Sequence, residues 1–184
     1  MEEPWRAEIL DAVRARARFG QAVGGFGSGP LQASLQTIGD RLDAALDECW
    51  QVTQQGQRLS DARAEIDLRD IDRELARAAA HEPVSSRGEQ VRAETVRALE
   101  AQRAAAARMD ELIARTEAEL RLINARLDES VTQAIELSVS GTTSTGTLGE
   151  SVEAIVGDLE ALRLAMASLD DAGPGPASTG TAAP

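Results

Sequence analysis

Apolar residues recur at alternating steps of three and four along most of this chain, and two long stretches carry the pattern with one short interruption between them. That spacing puts side chains on one face of an α-helix. The first stretch runs from about residue 31 to 80, with a seam of Leu35, Ile38, Leu42, Ala45, Cys49, Val52, Gly56 and Leu59, widened on one flank by Leu46 and Trp50. Beyond Leu59 the register passes through Arg63, Ile66 and Asp70, and a displaced stripe of Leu68, Ile71 and Leu75 takes over. The second stretch runs from about 88 to 139. Its first half is poor in large aliphatics, with Leu99, Gln102 and four alanines at 104–107, and its second half is rich, with Met109, Ile113, Leu120, Ile123, Leu127 and Leu137. The breakers lie in His81-Glu82-Pro83-Val84-Ser85-Ser86.

Two shorter helices flank these. The first spans about residues 4 to 22, with Pro4 suited to a first turn. The other spans about 148 to 170 on a regular seam of Leu148, Val152, Ile155, Leu159, Leu162, Met166 and Leu169. Gly24-Gly25-Phe26-Gly27-Ser28-Gly29-Pro30 and Ser140-Gly141-Thr142-Thr143-Ser144-Thr145-Gly146 read as connectors. Residues 172–184 are Pro, Gly, Ser, Thr and Ala and are expected to be a disordered tail.

The pattern therefore predicts an all-α chain with one helical domain over residues 1–171. Its centre is a long antiparallel helical hairpin, or coiled coil, that doubles back near Pro83. The apolar first half of one arm is expected to lie beside the apolar second half of the other. The two shorter helices are expected to complete a three- or four-helix bundle at the end holding the termini. The far end is expected to be a bare two-helix stalk. About 50 residues per arm give a rod of roughly 75 Å.

Composition narrows the function. All 19 basic residues are arginine, against 31 acids, for a formal net charge of −12. Arginine interleaved with Asp and Glu offers no clustered positive charge, so nucleic acid is not an expected partner. The Ala/Arg-rich, lysine-free usage suggests a bacterial source. Cys49 has no second cysteine to pair with, which fits a reducing compartment. No apolar run is long enough for a transmembrane span, and the acidic start at Met1-Glu2-Glu3 is unlike a secretory signal. The cytoplasm is the expected location, with peripheral attachment at the inner face of a membrane as the alternative.

No catalytic, cofactor or metal constellation is apparent, and no small-molecule substrate is expected. His81 falls in the predicted tip without a positioned neighbour. Cys49 sits on a seam and reads as a buried structural thiol. The glycine-rich connector lacks both the spacing and the lysine of a phosphate loop. The expected function is that of a non-enzymatic adaptor, scaffold or assembly protein, acting on a protein partner or a second copy of itself. A candidate partner surface lies at the tip, at His81, Pro83, Val84 and Arg87. A second candidate is the first helix, where Trp5, Ile9 and Val13 are apolar and Arg6, Arg14 and Arg18 are basic, so that it would bind a partner or lie in a membrane interface. A short amphipathic helix ahead of a long hairpin resembles the layout of the phage-shock-protein A family and related membrane-remodelling proteins. A third reading places a ligand pocket between helices near Trp50 and Cys49.

Overall fold

The structure is a computed structural model that describes residues 1–24, 30–81, 84–140 and 145–171. The expected tail, Pro83 of the expected tip and the centres of both connectors lie outside these residues. The described chain is all-α. It forms α1 (Trp5–Val23), α2 (Pro30–Ala64), α3 (Leu68–Ala80), α4 (Ser86–Ser140) and α5 (Thr145–Asp171).

α1, α2, α4 and α5 make a four-helix bundle. Around its perimeter the order is α1, α2, α5, α4, and α1 does not touch α5 among the described residues. Directions follow from the paired residues. Trp5 lies against Gly56 and Arg16 meets Asp43, so α1 and α2 are antiparallel. Arg126 pairs with Asp158, and Ser130 lies 3.3 Å from Ser151, so α4 and α5 are also antiparallel. Arg41 with Glu153 and Arg163 with Glu48 make α2 and α5 parallel. These ion pairs stand between neighbouring helices at the bundle surface, where each is worth about 0–1 kcal/mol.

The hairpin is present in altered form. α2 and α3 together run antiparallel to α4, as Arg63 with Asp110, Asp72 with Arg103 and Ala78 with Arg92 show in turn. In the bundle, however, α2 and α4 are not side by side. They sit on its diagonal, and α1 and α5 wedge between them. The physical reason is that α1 and α5 bring full apolar stripes of their own: Trp5, Ile9, Ala12, Ala15 and Phe19 on α1, and Leu148, Val152, Ile155, Leu159, Leu162 and Met166 on α5 are all buried. Four stripes share one core when each helix has two neighbours.

The first arm is also not one helix from 31 to 80. It breaks at Glu65-Ile66-Asp67. Asp67 adopts an extended conformation (φ −80°, ψ 94°), and its carboxylate accepts the N–H groups of Arg69 (2.9 Å) and Asp70 (3.2 Å). This is an N-cap, worth about 1 kcal/mol. On the other side of the break, Arg63 donates to the Ile66 carbonyl (3.2 Å) and pairs with Asp110 of α4 (2.8 Å), pinning the discontinuity to the opposite helix. The new helical phase turns Ile71 toward α4, where it is buried.

The core follows the number of helices. A continuous buried cluster runs through the bundle, from Leu35 to Val52 on α2 and from Leu120 to Leu137 on α4. Among the described residues of the α3–α4 stalk, the buried apolar side chains are Ile71, Leu99 and Ala106, and none of these joins the main cluster.

Trp5 closes the bundle where the stalk begins. Its ring lies on Gly56, and its indole N–H donates to Ser60 (3.1 Å), whose hydroxyl donates to the Gly56 carbonyl (2.9 Å). A Cβ on Gly56 would stand 2.5 Å from ring carbons of Trp5. Alanine at a helical glycine normally adds about 0.8–1 kcal/mol, whereas forcing a buried ring aside costs about 1–3 kcal/mol. Gly56→Ala should therefore destabilise the protein by about 1 kcal/mol in urea unfolding and redshift Trp5 emission in a Trp50→Phe background. A stabilised variant with unchanged emission would show that the ring is not seated there.

Candidate interaction surface at the stalk tip

The last turns of α3 and the first turns of α4 form a groove of about 730 Å³, and its arginines are the positive charge that the sequence reading did not expect to cluster. Glu74, Arg77 and Ala78 line it from one face of α3, joined by His81 just past the end of that helix. Ser85, Arg87, Gly88, Val91, Arg92 and Thr95 line it from the α4 side. Ser85 caps α4, its hydroxyl accepting the Gly88 N–H (3.2 Å) and its carbonyl the Glu89 N–H (3.0 Å). The cap fixes where α4 starts, and so where Arg87 and Arg92 stand relative to Arg77.

Among the described residues, three guanidiniums thus face one carboxylate, Glu74, in a chain with a formal net charge of −12. Among the described residues no ion pair reaches Arg77, Arg87 or Arg92. Arg77 and Arg87 are exposed. Arg92 is half-buried. It donates to the Ala78 carbonyl (3.4 Å) near the end of α3, and its Nε is buried without a hydrogen-bond partner. Val91 is 54% exposed beside the arginines, and Val84 is fully exposed at the tip.

Of the tip residues expected from sequence, His81 and Arg87 line the groove and Val84 projects from the tip. Arg77, Val91 and Arg92 were missed. A signal existed: Arg69, Arg73, Arg77 and His81 recur every four residues, a basic stripe hidden within alternating charge.

The residues expected on the first helix are divided between the core and the surface. Trp5 and Ile9 are buried in the bundle, while Arg6, Val13, Arg14 and Arg18 are exposed. Arg14 pairs with Asp11, and Arg18 pairs with Asp128 of α4. To lie in a membrane interface, α1 would have to withdraw Trp5, Ile9 and Phe19 from the core, each contributing about 1.5–3 kcal/mol by burial. Among the described residues no helix is long and apolar enough to cross a membrane.

The pocket expected near Trp50 and Cys49 does not bring the two together. Trp50 is 47% exposed and borders a shallow cavity of about 350 Å³ with Met1, Gln54, Gln57 and Arg58. Neighbours on a helix point about 100° apart, so Trp50 does not widen the seam when Cys49 occupies it. Cys49 is buried, close to a polar contact between α1 and α4. There Asn124 donates to both the carboxylate (2.8 Å) and the carbonyl (3.0 Å) of buried Glu8, and Arg121 lies 3.3 Å from the same carboxylate. Burial, assisted by the Glu8 charge, pushes the Cys49 thiol up to about 12. No group of His, Cys, Asp or Glu among the described residues is arranged to hold a metal ion.

Comparison with protein-family models, with curated proteins and with solved structures finds no match.

The raised thiol has a thermodynamic consequence. Unfolded cysteine ionises near about pH 8.5, whereas the native thiol stays protonated until about 12. The folded state therefore holds a proton that the unfolded chain has released, and stability falls as pH rises between these values by about 1.4 kcal/mol per unit. Below pH 8 the contribution is fully present. Urea unfolding at pH 8 to 10.5 should show a steeper loss for the natural chain than for Cys49→Ala. Equal slopes would place the thiol in contact with water.

Proposed function

We propose that this protein is a non-enzymatic coiled-coil adaptor or assembly component, with the four-helix bundle as a rigid head and the α3–α4 stalk as the part that reaches protein partners. The observation that carries the reading is the unequal core. The bundle holds a continuous one, while the stalk, among the described residues, buries Ile71, Leu99 and Ala106 alone outside it. A two-helix extension with so little burial adds little to the stability of the head, so its use lies in reach and display. The stalk also displays what a partner needs: unpaired guanidiniums, a groove, and exposed Val84 and Val91.

Photo-crosslinking in the organism of origin tests this directly. A photoreactive side chain at Glu94 or Thr95 in the stalk should give discrete protein adducts, and one at Ala154 or Glu160 on the outer face of the bundle should give fewer. All four positions are exposed. Adducts from the bundle alone, or none from the stalk, would overturn the reading.

A further inference from the structure

We infer that the basic groove at the stalk tip docks a short acidic segment of a protein partner, seating carboxylates on Arg77, Arg87 and Arg92 and an apolar side chain against Val91 and Ala78. The inference rests on the contact-based function proposed above and adds the chemistry of the partner.

Charge is the first support. The chain carries a formal net charge of −12, yet among the described residues this groove sets three arginines against one carboxylate, that of Glu74. Several arginines between helices of the bundle are matched to acids, as in Arg16 with Asp43, Arg41 with Glu153 and Arg163 with Glu48. The planar guanidinium fork matches carboxylate geometry, and a charge-assisted pair is stronger than a neutral hydrogen bond.

Shape is the second support. The α3 side runs from Glu74 to His81, about 10 Å along the helix at 1.5 Å per residue. An extended segment covers that length with about three residues at roughly 3.3 Å each. Ala78 and Val91 give the groove an apolar part, which suits an acidic-apolar-acidic triplet better than a bare phosphate. A nucleic acid is disfavoured, because binding one requires positive charge spread along a backbone, and beyond the groove the stalk's arginines alternate with Asp70, Asp72, Glu89, Glu94 and Glu100.

The test uses the full chain and a fluorescein-labelled peptide of three Glu-Leu-Asp repeats, read by anisotropy in low salt. The peptide should bind saturably, and binding should weaken as salt screens the groove. Arg77→Gln with Arg87→Gln should weaken it about tenfold, and Val91→Ser severalfold. Arg77, Arg87 and Val91 are exposed, so circular dichroism should show unchanged helicity and melting. Each of these results would overturn the inference: no saturable binding; equal binding by the double variant; equal binding of a Gln-Leu-Asn peptide; or displacement by inorganic phosphate at the peptide's own concentration, which would mark a small-anion site. Dissociation of a self-associated chain by the double substitution would make the occupant a second copy, and would equally overturn it. If the peptide fails while crosslinks from Glu94 and Thr95 persist, only the acidic ligand is lost and the adaptor reading stands. Loss of both removes the two together.

Discussion

The lengths of the helices control everything else in this molecule. α4 has 55 residues, whereas α1 has 19 and α5 has 27. A shared four-helix core extends only as far as its shortest members reach, and past Trp5 the chain is left with the end of α2 and then α3 against α4. Burial is the dominant favourable term in folding, so the same backbone passes from a well-filled interior to a thin seam at one level. Gly56, Ser60 and Trp5 mark that level. The break at Glu65-Ile66-Asp67 follows at once, where α2 no longer has α1 beside it and its apolar face must turn toward α4.

Polar groups decide which of many similar helical packings is adopted. Apolar seams built from Leu, Ile, Val and Ala tolerate sliding by a turn. The Glu8–Asn124 contact does not, because displacement would leave a carboxylate buried without its donor. Arg16 with Asp43 and Arg41 with Glu153 act similarly at the surface, weakly in energy but selectively in partner. The mixed charge of the chain is thus divided. Several arginines of the bundle pair with acids on facing helices, and among the described residues Arg77, Arg87 and Arg92 at the tip have no acidic ion-pair partner.

Much of the architecture is legible from periodicity. Seam residues such as Leu35, Ile38, Leu42, Leu120, Ile123 and Leu127 are buried as their spacing requires, and the alanine-rich run of α4 does mark the stalk. Other features are not, for identifiable reasons. Periodicity shows which face of a helix is apolar but not which helix covers it, so the diagonal placement of α2 and α4 was out of reach. The break at Asp67 was written in the displaced stripe of Leu68, Ile71 and Leu75, but alternating charge through the region resembles an uninterrupted salt-bridged helix. The groove depends on α3 and α4 meeting in one register, which no single-helix pattern specifies. Trp50 was misplaced because a large aromatic next to a seam reads as part of it.

In functional terms the molecule separates rigidity from reach. In the adaptor role proposed above, the bundle would be the fixed mount and the stalk the arm that carries the basic groove to a partner. Stability should therefore be distributed unevenly along α4. Native-state hydrogen exchange, resolved by residue on the dilute full chain, tests this most directly. The account predicts strong protection at 38–56 and 116–137 and protection weaker by orders of magnitude at 68–80 and 88–106. Uniform protection along the whole of α4 would contradict it.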